Sequence, residues 1–262
     1  MYELTLDQQN RIQKLFDHYK KRAEKKAEQV ETGESTPGTC RSAADSYRNI
    51  GYYSIYYEDF DNSIEQFRLA AKYYLESVRE SKGQKTELNT FRRIPATLVE
   101  GLYTTGVSGD STQQKLIAEE IFKLPRKEFP PGDYFETPVK FNTDKYYLAQ
   151  CLAGVILDNV RERDIKKLEE INRDKSETDA LYGRAILQFT KGFYDDDPIL
   201  IGVGIESMLK HHKQEFDEES IKDKIMCLKA TALLITSCQR NYDIDVDSEF
   251  IPNGLVTASL NS

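Results

Sequence analysis

The sequence predicts an all-α protein, with helical hairpins stacked in a solenoid-like arrangement. Three observations carry this expectation. Apolar residues recur at i, i+3, i+4 and i+7 along most of the chain, strand-like runs are nearly absent, and N-cap signals stand at the head of successive segments. At 262 residues, 39% hydrophobic and 31% charged, the chain is long enough to build a self-sufficient core beneath a charged surface.

The elements follow in order. Thr5-Leu6-Asp7-Gln8 has the form of a capping box, so a long amphipathic helix is expected to about Gln29. Residues 31–39 are polar, with Gly and Pro, and read as a loop. Ala44, Tyr47, Ile50, Gly51, Ser54 and Ile55 line one helical face. Ile64, Phe67, Ala70, Ala71, Tyr74 and Leu75 line the next, with Asp61 expected as its N-cap. Small residues at Gly51 and Ala70 let the two helices pack closely. Helices are also expected over Leu88–Leu102 and Ser111–Leu124. Residues 124–142 hold four prolines and mark the internal boundary: an N-terminal hairpin region over 1–130, a proline-containing junction over 131–142 and a C-terminal region over 143–262.

In the second half a helix starts at Thr143-Asp144 and a short one spans Ile165–Asn172. Another carries Leu181, Ala185, Phe189 and Gly192. Asp197-Pro198 combines an acidic N-cap with proline at the first helical position, and opens a helix to His212. Asp217 is expected to cap a single helix with a stripe at Ile221, Ile225, Leu228, Ala232 and Ile235. The chain then ends in an extended tail from Asp243 to Leu255.

Charge and cysteine usage narrow the function classes. The net charge of −8 disfavours nucleic-acid binding, which needs a basic stripe to displace phosphate counterions. From Phe193 onward there are 13 acids against 6 bases, so the excess sits at the C-terminal end and suits a basic partner. No apolar run approaches the roughly 20 residues that cross a bilayer, and the start has neither a basic nor an apolar leader region. Cys40, Cys151, Cys227 and Cys238 are scattered, without a CxxC pair. A soluble cytoplasmic protein with reduced cysteines, and without membrane contact, is expected.

Little in the chain suggests catalysis. His211 and His212 are neighbours, so on a helix they diverge by about 100° and cannot share a metal ion. No phosphate-binding loop, dinucleotide fingerprint or GxSxG elbow is present, and Gly202-Val203-Gly204 reads as a close-packing pair. Asp243-Ile244-Asp245-Val246-Asp247-Ser248-Glu249 lacks the Gly and Glu that a calcium loop needs at its sixth and twelfth positions. Its period of two turns the acids to water, with Ile244 and Val246 inward. No catalytic residue, metal site or cofactor is expected. The candidate partner-binding residues are the acids Asp195, Asp196, Asp197, Asp243, Asp245, Asp247 and Glu249. Phe193, Tyr194 and Tyr242 are the candidate aromatic anchors, with burial in the core as their alternative. Asp195-Asp196-Asp197 has its own alternative, as the start of the helix after Pro198.

Two resemblances refine this. Tyr47, Ile50, Gly51, Ser63, Phe67 and Ala70 fall at the spacing of one tetratricopeptide repeat, departing from it at Ser54 and Leu75. The region Tyr146–Val256 resembles immunity protein family 49 of polymorphic toxin systems. The resemblance rests on Leu209-Lys210-His211-His212, the small-residue run Leu228-Lys229-Ala230-Thr231-Ala232-Leu233-Leu234, and the tail Ile244–Pro252 followed by Leu255; the chain has no tryptophan, unlike many members. The family resemblance implies an α-helical protein that neutralises a cognate toxin by direct contact. A nuclease with a basic active-site groove is a toxin that the acidic charge would suit. The other reading is a tetratricopeptide-like scaffold or regulator, holding a peptide or protein in a groove lined by Asn, Lys and Tyr of the N-terminal half.

Overall fold

The computed structural model describes residues 4–81, 93–125 and 143–262. Every regular element among them is helical. The N-terminal set is α1 (Leu6–Glu31), α2 (Pro37–Tyr56), α3 (Phe60–Ser81), α4 (Ile94–Ser108) and α5 (Ser111–Phe122). The second set is α6 (Thr143–Ile156), α7 (Glu162–Arg173), α8 (Glu177–Asp195), α9 (Pro198–Gln214), α10 (Ile221–Ile225), α11 (Leu228–Gln239) and α12 (Asn253–Leu260). The chain is all-α, as its periodicity predicts. The expected helix start at Leu88, the junction over 131–142 and all but the first two residues of the proline-rich segment lie outside the described residues.

Helix starts follow side-chain chemistry. At α1 the capping box forms: Gln8 N–H donates to Thr5 Oγ1, and Thr5 N–H donates to Gln8 Oε1. Helix α2 begins at Pro37 behind a Thr36 cap, several residues before the sequence pattern suggests, because proline at the first position has no N–H to lose. At α3 the cap moves from the expected Asp61 to Asp59, whose carboxylate accepts from Asn62 N–H. Glu58, at φ 57°, turns the chain so tightly that the helix begins two residues early.

Helices α2 and α3 form the hairpin that the tetratricopeptide-like spacing predicts. A Cβ on Gly51 would lie 3.0 Å from the Phe67 ring, and Ser63 Oγ donates to the Gly51 carbonyl at 3.0 Å. Consecutive helices from α1 to α9 pack on one another. Contacts do not stop there, as they would in a one-dimensional stack. Helix α11 returns to pack on α4, α10 reaches α2, and α12 touches α3 and α4. One hydrophobic core therefore runs from Leu4 through Leu98, Leu148 and Ile205 to Leu255, spanning both sequence regions.

Small residues allow the return. Gly106 of α4 faces Ala232 of α11 closely, where an added Cβ would lie 3.0 Å from Ala232 Cβ, and Gln114 donates to Thr236 at 3.1 Å beside them. Gly109 ends α4 at φ 71°. Its Cα side lies against the Ser259 carbonyl, where an added Cβ would sit 2.1 Å from oxygen.

Two expectations in the last third change. The single helix after Asp217 is two helices, α10 and α11, with extended backbone at Met226 between them. Cys227 N–H donates to the Phe250 carbonyl at 2.9 Å, so the tail takes a hydrogen bond that a continuous helix would have used internally. Ser220, not Asp217, supplies the cap. The tail is extended only at first and ends in α12.

Candidate functional site

The acids Asp195, Asp196 and Asp197 sit in the turn between α8 and α9, and each does something different. Asp195 is the last residue of α8, and Asp196 takes the left-handed conformation at φ 55°. Asp197 is the N-cap of α9, accepting from the N–H groups of Ile199 at 3.0 Å and Leu200 at 3.1 Å. The helix-start role foreseen for this run thus belongs to Asp197. Asp195 and Asp196 remain exposed at the end of α8, where the helix dipole favours cations over acids. The turn is tight because α8 and α9 approach through glycine: a Cβ on Gly192 would lie 2.6 Å from Ile201 N.

The tail packs on this pair of helices as a strap. Its first anchor is Tyr242, whose N–H donates to the Ser237 carbonyl at 3.1 Å and whose hydroxyl donates to Asp196 Oδ1 at 2.6 Å. That carboxylate raises the Tyr242 pKa above its ordinary value. The last anchor is Phe250, which is buried, with the rings of His212 at 4.9 Å and Phe216 at 5.6 Å. Between the anchors Asp243, Asp245, Asp247 and Glu249 are exposed, and Ile244 and Val246 pack inward on the core. Ile244 crosses α9 at Gly202. Among the described residues the strap has no sheet partner, but its alternation is that of a strand laid on an apolar surface.

Beside the strap lies a cleft of about 710 Å³. Phe193, Tyr194 and Tyr242 line it together, with Asp158, Gln239 and Arg240. Phe193 and Tyr242 meet edge to face at 4.9 Å and are half-buried; Tyr194 is 50% exposed. The Arg240 guanidinium sits 5.6 Å from the Phe193 ring centroid and pairs with Asp158 at 2.5 Å. The cleft thus already holds a cation between an aromatic face and a carboxylate.

The structure joins the two acid runs of the sequence through the Tyr242–Asp196 bond and gathers the three aromatic candidates in one cleft. Sequence reasoning missed Asp158 and Arg240, which are 82 residues apart. Asp158, left-handed at φ 50° just after α6, carries the signal of a helix terminator but none of a site.

A smaller groove of about 260 Å³ lies among α1, α2 and α3, lined by Lys20, Tyr47, Asn62 and Gln66. Among the described residues no group of three or more His, Cys, Asp or Glu is placed to hold a metal ion, and no helix is long and apolar enough to cross a membrane. Cys40, Cys151 and Cys227 are buried and Cys238 is half-buried, all as free thiols. Compared with protein-family models, curated proteins and solved structures, the chain matches none.

Proposed function

We propose that this chain is a non-catalytic immunity protein, acting in the cytoplasm, which neutralises a cognate protein toxin by direct binding through its acidic strap and the adjoining aromatic cleft. The observation that carries the reading is the joining of two acid runs, 46 residues apart in sequence, by the Tyr242–Asp196 hydrogen bond. Outward acids give steering and register to a basic partner, such as the groove of a nuclease. Affinity needs desolvated anchors, and Tyr194 at the rim of the cleft has the exposure and chemistry of one. A lysine or arginine of the toxin would enter between the aromatic rings and Asp158, as Arg240 already does from within.

The test is a toxicity rescue. The gene immediately upstream is expressed in a naive host, with and without this chain, and the complex is recovered by pull-down. Growth arrest relieved only by co-expression, with a stable complex, supports immunity; absence of both toxicity and complex removes it.

A second reading, a scaffold that holds a peptide, is favoured by the groove of Lys20, Tyr47, Asn62 and Gln66. The two readings separate by variant. Charge reversal at Asp243 and Asp245 abolishes binding in the first, whereas alanine at Lys20 and Asn62 does so in the second.

A further inference from the structure

The strap from Asp243 to Glu249 is held by its side chains and its two ends, not by its backbone. Backbone bonding stops at Tyr242, whose N–H donates to the Ser237 carbonyl. It resumes at Ser248, which accepts from Phe250 N–H at its hydroxyl and from Ile251 N–H at its carbonyl. Among the described residues, no backbone N–H from Asp243 to Glu249 has a hydrogen-bond partner, and no backbone carbonyl from Asp243 to Asp247 has one. The strap contains no proline, so each of its residues has an N–H to give.

The orientation of the strap turns those groups to its sides. Exposure alternates residue by residue, with Asp243, Asp245, Asp247 and Glu249 outward and Ile244 and Val246 packed on the core. Where side chains point alternately up and down, N–H and C=O groups point sideways, parallel to the surface beneath. The strap thus has the open edges of an unpaired strand, about 23 Å long at the usual rise per residue. Apolar surface near it is uncovered as well. Ile199, on the turn of α9 before Gly202 where Ile244 crosses, is 79% exposed.

An unpaired edge is a template for another strand, and charge decides which strand pairs with it. A second copy of the strap would set acid against acid, and like charges directly opposite one another are destabilising. The four acids form no ion pair among the described residues. A strand with lysine or arginine at every second position would place a cation beside each of them. Its intervening residues would face the helices, where exposed Ile199 favours apolar side chains.

We propose that the strap is a docking edge for one extended strand of a partner protein, a strand that alternates basic and apolar residues and adds to the strap by backbone pairing. This gives the binding mode for the proposed immunity function, and it rests on that reading for the identity of the partner as a toxin. Backbone bonds supply affinity, while the acid row selects a basic strand and rejects pairing between copies.

The experiment titrates the full chain with an acetylated, amidated seven-residue peptide that alternates lysine and valine. Amide hydrogen exchange across 243–249 is followed by NMR. In the free chain these amides should exchange rapidly. Bound peptide should protect alternate amides, either the odd-numbered or the even-numbered set, because every second N–H of a strand points to the same edge. A purely ionic contact produces no such alternation. Two further peptides keep the charge and remove backbone donors, one N-methylated at every lysine and one at every valine. One of the two should bind about tenfold or more weakly than the parent, as the loss of two or more net hydrogen bonds implies. Strap amides already protected in the free chain, protection without alternation, no saturable binding, or equal affinity of all three peptides would overturn the proposal. None of these outcomes involves a toxin. A failed toxicity rescue removes the immunity reading and leaves the edge, whereas an unprotected strap removes the edge and leaves the immunity reading.

Discussion

At Gly204 and Gly202, two residues apart on α9, the same substitution is expected to act in opposite directions. A Cβ on Gly204 would lie 2.6 Å from Phe189 N and 2.9 Å from Ala185 O, backbone atoms of α8 that cannot step aside. Gly204→Ala should therefore destabilise by about 1–3 kcal/mol, the usual cost of overpacking. A Cβ on Gly202 meets only Ile244 Cγ2, at an ordinary 3.7 Å. Gly202→Ala should stabilise by about 0.5–1 kcal/mol, since alanine loses less backbone entropy in a helix. Urea unfolding of both variants checks the pair, and equal shifts would contradict the packing account. The acids of the neighbouring turn divide similarly. Asp197→Ala removes the α9 cap and should cost about 1 kcal/mol of stability. A Lys substitution at exposed Asp195 should instead act on partner binding.

For the strap, the element is set by its anchors more than by its own propensity. Phe250 is 2% exposed, and its carbonyl takes the Cys227 N–H at the break between α10 and α11. Phe250→Ala should cost about 3–5 kcal/mol, as for other buried aromatics, and release the strap. Limited proteolysis would then cut within 243–249 in the variant before the intact chain; unchanged cleavage would show that the other anchor suffices. Reversing Asp243, Asp245, Asp247 and Glu249 to lysine should leave the melting temperature nearly unchanged, because these side chains face water. The α10–α11 break illustrates what periodicity misses. The stripe from Ile221 to Ile235 reads as one helix, but a hydrogen bond donated by Cys227 N–H to a carbonyl 23 positions downstream divides it.

Across the whole molecule, buried ionisable groups make stability fall in alkali. Burial raises the thiols of Cys40 and Cys227 from 9.0 to about 11. The unfolded chain releases these protons first, so each thiol's contribution is complete below pH 9 and is lost as pH rises toward 11. The loss is roughly 2–3 kcal/mol for the deeply buried Cys227 and smaller for Cys40. Buried tyrosines such as Tyr73, raised to about 12, act in the same sense at higher pH. Urea unfolding at pH 8, 9.5 and 11 should show a falling midpoint; a flat or rising one would refute the assignment. The acidic surface gives a second whole-molecule prediction. Association with the proposed toxin partner should slow as salt rises, because Debye screening shortens the reach of the strap's charges. A rate independent of ionic strength would remove electrostatic steering from the proposed function.

The sequence by itself determined the helical class, the starts of α1, α5, α6 and α9, and the direction faced by the strap. These are local properties: a capping box, a proline at a first position and a period of two act within a few residues. Asp197 could be read as a cap because its partners, Ile199 and Leu200, are its near neighbours. Only the tertiary structure decided which distant groups meet. Asp196 finds Tyr242 across 46 residues, Arg240 finds Asp158 across 82, and Gln8 finds Lys224 across 216. The return of α11 onto α4, through Gly106 and Ala232, likewise turned an expected linear stack into a shared core. Such contacts form because burying one continuous apolar surface outweighs the entropy of closing long loops, a balance struck over the whole chain and not within any segment of it.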